Sequence, residues 1–196
     1  MIDAEQAKAL VLHYAGASVH GSERFAVQYC ALSERGDYWV VSANSEDFVV
    51  RGVLERFYIG ISVYLVNTVS GQIETIGSSQ NIDHYLEDKY DAAQAGDMHY
   101  VLVPEFGSGD KQAVMHLRRR LECPLQLALK LVSSESSNWL TGKRRTLRHA
   151  QAMLLREGIV TSIQLRQSPT SAELIDDSSL LNWDGLKSAL NRVAAK

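Results

Sequence analysis

Only two cysteines occur among the 196 residues, Cys30 and Cys123, each among apolar neighbours. Two thiols make no disulfide framework, and cytosolic thiols stay reduced. Apolar surroundings also raise a thiol's pKa, so a cysteine nucleophile is not expected. Equally absent is any run approaching the roughly 18–20 apolar residues needed to cross a bilayer. The opening residues MIDAEQAKALVLHY carry acids where a secretory leader would be basic. Cytoplasmic residence, with no membrane partner, is the expectation. Six histidines, His13, His20, His84, His99, His116 and His149, show no H-x-x-x-H or Cys/His spacing, so neither a metal nor another cofactor is implied. The glycine-rich stretch 107–111 lacks the G-x-x-x-x-G-K-[ST] spacing that surrounds a phosphate and reads as a strand-to-helix connection.

What the chain does have is segregated charge. Through Asp97 there are 6 Lys+Arg against 14 Asp+Glu, and beyond it 14 against 9. Halves of net −8 and +5 predict two modules with different surfaces, a statement about partners and not about fold. With 45 % apolar residues, each can hold a small core.

Asp3, with Gln6 three residues on, forms a capping box for a first helix whose stripe is Ala4, Ala7, Leu10, Val11 and Tyr14. Strands follow at residues 25–32 and 38–43, while residues 44–60 fit helix or strand. Ile61, Val63 and Leu65, then Ile73 and Ile76, flank Thr68-Val69-Ser70-Gly71 as a hairpin. Ile82, Tyr85, Leu86 and Tyr90 mark a closing helix, and the small polar residues 92–97 read as a linker. Beyond it come a strand at 100–106, a helix capped by Asp110, another from Leu125, an interruption at 139–142, a third helix capped by Thr146, and a strand from Ile159 after Gly158. Residues 167–196 are a polar segment and a terminal helix with Leu186, Leu190 and Val193 in register. The expected class is α+β. One module is a helix, an antiparallel meander and a closing helix; the other is β-α-α-α-β with an appended helix.

The stretch YLVNTVSGQIETIGSSQNIDHYLEDKY, after a starting helix and the Tyr38-Trp39-Val40-Val41 strand, resembles the YrhB-type immunity domain of bacterial polymorphic toxin systems, over residues 1–92. The resemblance implies a non-catalytic cytoplasmic protein that neutralises a cognate, secretion-system-delivered toxin in interbacterial competition. Over residues 99–166, LQLALKLV and AMLLREGIVTSI resemble the C-terminal domain of the bacterial ribosomal stalk protein, which contacts translation factors; the module itself is expected over 98–166. Trp139 and the basic residues 143–145 depart from that pattern.

Two charge clusters are the candidate contact residues. Asp83, Glu87, Asp88 and Asp91 lie at helical spacings and form either a solvated face or an anionic surface that covers a toxin's basic cleft. Ten Lys+Arg fall between 111 and 156, among them Arg118, Arg119, Arg120, Lys143, Arg144 and Arg145. These form a solvated face or meet an acidic protein, a translation factor or the ribosome. Nucleic acid is not expected, because only Trp139 interleaves as an aromatic for stacking.

Overall fold

The computed structural model describes residues 1–17, 23–133, 137–178 and 182–195, so His20 and Glu135 lie outside the described residues. It is an α+β protein whose described part holds two four-stranded sheets. The chain forms two compact units, Met1–Tyr85 and Leu86–Lys196.

In the first unit, helix α1 (Ala4–Ala17) precedes an antiparallel meander of β1 (Phe25–Leu32), β2 (Tyr38–Ser45), β3 (Ile61–Asn67) and β4 (Ile73–Gly77). The capping box closes as the spacing predicts: the Asp3 amide donates to Gln6 Oε1 at 3.0 Å and the Gln6 amide to Asp3 Oδ1 at 2.8 Å. α1 buries Ala7, Val11 and Ala15 against one sheet face formed by Val41, Ala43, Tyr64 and Val66. Leu10 and Tyr14, expected in that stripe, are about two-fifths exposed instead. The hairpin turns at Gly71, whose φ of 73° is left-handed and where a Cβ would come within 2.7 Å of the Ile2 side chain. Cross-strand pairs Val63↔Ile76 and Leu65↔Glu74 set its register. The stretch that fits either element is a short helix, α2 (Glu46–Arg51), then a 3-10 turn at Leu54–Arg56.

α3 (Ile82–Ala95) runs on through Ala92–Ala95, so the expected linker is helical for four of its six residues. In the second unit the elements are β5 (His99–Pro104), α4 (Lys111–Leu121), α5 (Leu125–Leu131), β6 (Leu140–Gly142), α6 (Arg144–Arg156), β7 (Thr161–Arg166), β8 (Glu173–Ile175) and α7 (Trp183–Ala195). The expected order of strand, three helices and strand is present, with β6 inserted between the second and third helices and β8 added. Sheet order is β7-β5-β6-β8, with β6 and β8 parallel and the other pairs antiparallel.

Trp139, which departs from the stalk-domain pattern, is the largest fully buried side chain. Its amide donates to the Leu102 carbonyl at 3.0 Å and its indole N–H to the Leu131 carbonyl at 2.7 Å. A buried indole keeps its polar tip only with such a partner. Leu117, Leu147 and Leu154 pack into the same core as Leu186 and Leu190 of α7. Asp110 caps α4, accepting from the Ala113 amide at 2.9 Å. Thr146 caps nothing: α6 starts two residues earlier, and Thr146 is buried inside it.

Candidate functional site

The basic start of α6 and the acidic side of α3 meet inside the second unit. Lys143 Nζ lies 2.8 Å from Asp88, Arg145 pairs with the other Asp88 oxygen at 3.3 Å, and Arg144 lies 3.0 Å from Asp91 Oδ1. Glu87 pairs with Arg148. Helical geometry explains the ladder, since Glu87, Asp88 and Asp91 recur at spacings of one and three and share a side of α3. Six of the ten candidate contact residues are thus brought together, five of them as partners of one another and Glu87 as the partner of Arg148. Dividing the chain at Tyr85, one turn into α3, also changes the charge balance. Met1–Tyr85 holds 5 basic against 10 acidic residues, and Leu86–Lys196 holds 15 against 13.

The remaining candidates lie elsewhere. Asp83 is exposed in the first turn of α3. In the last turn of α4, Arg120 lies 3.2 Å from Glu157. Arg118 and Arg119 are exposed and have no carboxylate partner among the described residues.

Sequence reasoning missed three partners of the ladder. Asp177 accepts from the Thr146 hydroxyl at 2.6 Å and pairs with Arg145 at 2.7 Å. These contacts, the Thr146 hydrogen bond first, hold its carboxyl below the ordinary range. The Arg144 guanidinium sits 5.4 Å from the centre of the Tyr100 ring, a cation–π distance. Its pKa is raised further, chiefly by the Asp91 hydrogen bond. Tyr100 in turn donates its hydroxyl to the Asp91 carbonyl at 3.0 Å. Acids at 176–177 were a visible signal for one of these; nothing local marks Tyr100.

The ladder forms one end of an open cleft of about 600 Å3. Asp88, Asp91, Lys143 and Arg144 line it together with His99, Tyr100 and Thr141 and with the apolar side chains of Ala92, Ala95, Met98 and Leu174. Asp91 is 8 % exposed, and its Oδ2 has no hydrogen-bond partner.

A second surface lies in the first unit, at residues 46–59. Buried Asn44 holds both backbone groups of Tyr58, its Nδ2 donating to the carbonyl at 3.1 Å and its Oδ1 accepting from the amide at 2.9 Å. Ser45, also buried, donates to the Arg56 carbonyl at 2.6 Å and accepts from the Phe48 amide at 3.1 Å, capping α2. Phe48 and Phe57 stack edge to face at 4.8 Å. Thus anchored, the segment presents Val50, Leu54 and Ile59 to solvent, 67 %, 73 % and 84 % exposed.

No protein-family model, curated protein or solved structure matches the chain. Among the described residues no group of three His, Cys, Asp or Glu side chains converges on a metal position, and no helix is long and apolar enough to cross a membrane. Both thiols are free, and burial pushes each above the ordinary thiol range.

Proposed function

We propose that the protein is an immunity protein that binds a cognate bacterial toxin in the cytoplasm and neutralises it by covering the toxin's active site, without chemistry of its own. The observation that carries this reading is the apolar ledge at residues 46–59. Val50, Leu54 and Ile59 are all exposed within ten residues of chain, and an exposed concentration of apolar side chains marks protein contacts. Buried Asn44 and Ser45 hold the ledge in one conformation, which lowers the entropy lost on docking. The first unit's excess of acids, 10 against 5 bases, would steer it toward a basic cleft. The resemblance of residues 1–92 points the same way.

Co-expression with any toxin domain found encoded beside its gene tests the proposal. The chain should restore growth of a bacterial host, and Leu54→Asp with Ile59→Asp should abolish the rescue while leaving the fold unchanged by circular dichroism. Absence of rescue by the unaltered chain contradicts the reading.

A second reading is favoured by Arg118 and Arg119, which are exposed without carboxylate partners among the described residues. They would dock an acidic surface of a translation factor or the ribosome, as the stalk-like pattern implies. Arg118→Glu with Arg119→Glu would then abolish co-sedimentation with ribosomes and spare toxin rescue.

A further inference from the structure

Strand β1 lies at one end of the first sheet and is bonded to β2 alone. Among the described residues no hydrogen bond of Phe25–Leu32 reaches beyond β2. Edge strands are ordinarily guarded by a lysine, a proline or a covering element, yet the sequence FAVQYCAL contains no charge and no proline. Tyr29 and Leu32 are about half exposed.

Which backbone groups of β1 face outward follows from the two ends of its ladder. The Glu46 amide donates to the Arg24 carbonyl at 2.7 Å, and the Ser33 amide to the Tyr38 carbonyl at 2.8 Å. Residues of an antiparallel strand alternate between bonding the residue opposite and turning both groups away from it. Counting inward from Arg24, with Phe25 opposite Ser45 and Val27 opposite Ala43, Phe25 and Val27 turn away. Counting inward from Ser33, Leu32 and Cys30 do. The two counts meet at a bulge, where Gln28 is the extra residue between Val27↔Ala43 and Tyr29↔Ser42.

A bulge ordinarily spoils an edge, because it breaks the spacing of free amides and carbonyls against a regular strand. Here it makes the edge a palindrome: Phe25 and Val27 mirror Leu32 and Cys30 about the midpoint between Gln28 and Tyr29. A regular strand matches one side of the bulge at a time, whereas a second copy of β1 running the opposite way matches both. We infer that two copies of this chain pair edge to edge through β1, about a two-fold axis between Gln28 and Tyr29. Phe25 meets Leu32 of the second copy and Val27 meets its Cys30, each pair occurring twice, with the two bulges facing each other. The side chains agree with this register. Phe25, Val27, Cys30 and Leu32 stand opposite Ser45, Ala43, Val41 and Trp39, on the face that carries α1, so apolar meets apolar there. Ala26 meets Ala31 on the other face, and no charge is brought opposite another within the strand. The inference stands apart from the toxin reading, since none of the paired residues belongs to the ledge at 46–59.

Sedimentation equilibrium of the full chain tests it. From micromolar to millimolar concentration the mass should pass from the 21.8 kDa of one chain to twice that value. Hydrogen exchange locates the contact. The amides of Phe25, Val27, Cys30 and Leu32 should exchange freely in dilute protein and slowly in concentrated protein, whereas those of Ala26, Tyr29 and Ala31, bonded to β2, should be slow in both. Leu32→Pro removes an outward N–H and none directed at β2, a position where an edge strand tolerates proline. Because its pair occurs twice, two hydrogen bonds are lost and association should weaken at least about tenfold. Should circular dichroism show that variant misfolded, Tyr29→Lys replaces it: an exposed side chain changes, two like charges meet beside the axis, and association should again be lost. A chain monomeric throughout, a pair whose outward amides still exchange freely, or association untouched by the folded variants would overturn the inference. So would protection of those amides only when a toxin domain is added, which would give the edge to a strand of the toxin.

Discussion

Two ion pairs between the same helices differ chiefly in burial, and that difference fixes what each is worth. Asp91 and Arg144 have side chains 11 % and 32 % exposed, whereas Glu87 and Arg148 are 36 % and 49 % exposed. Exposed pairs couple by about 0.2–1 kcal/mol. Removing one member of a fully buried pair costs about 3–5 kcal/mol, because the other is stranded. The half-buried pair falls between: a double-mutant cycle on Asp91→Ala and Arg144→Ala should give a coupling of about 1–2 kcal/mol, against about 0.3 kcal/mol for Glu87→Ala and Arg148→Ala. The two single variants of the inner pair should also be unequal. Arg144→Ala leaves the Asp91 carboxylate buried with no partner on either oxygen and removes the contact with the Tyr100 ring. Asp91→Ala instead deletes an oxygen that already lacked a donor, so it should be the milder change. Urea unfolding of the four single and two double variants measures all of this, provided the m-values agree. Equal coupling in the two cycles, or Asp91→Ala as the more damaging substitution, would refute the argument from burial.

Three further outcomes follow from the second unit's core and sheet. Trp139→Phe strands the Leu131 carbonyl and should cost about 2–3 kcal/mol in urea unfolding, more than an ordinary aromatic exchange. Gly142 has a φ of 154° and a Cβ there would run into the Ile175 carbonyl oxygen, so Gly142→Ala should cost more than about 2 kcal/mol and speed hydrogen exchange at the β8 amides. The Asp177 carboxyl titrates lower in the folded than in the unfolded chain, so its contribution is complete above the unfolded value of about 3.9 and is lost as pH falls through the native value. The stability difference between the unaltered chain and Asp177→Asn should therefore be constant near neutrality and shrink in acid; a difference that grows in acid would contradict the assignment.

Elements with a long periodic face or specific turn chemistry were legible in the sequence. α1, α4, α6 and α7 repeat their apolar residues at helical spacing, and the β3–β4 hairpin carries its own glycine turn. β6 and β8 were not legible, since three residues hold no period and their pairing spans more than thirty positions. Periodicity also identifies a helix's apolar face without saying where its acids go. Asp91 was therefore expected outside, although its partner Arg144 lies 53 residues away. For the candidate contacts the clusters themselves were visible as composition. Their mutual pairing was not, because charge counts carry no distances. The ledge at 46–59 was hidden for a related reason: a mixed apolar stretch looks the same whether Asn44 and Ser45 pin it outward or it folds inward.

Occlusion of a toxin, one chain to one toxin domain, is the central proposal. Its direct test is the activity of the purified toxin domain, measured as this chain is added. Activity should fall linearly and vanish near one chain per toxin, with the Leu54→Asp, Ile59→Asp variant requiring far more. Toxin that stays active in excess chain, or toxin silenced by a small fraction of an equivalent, would contradict it.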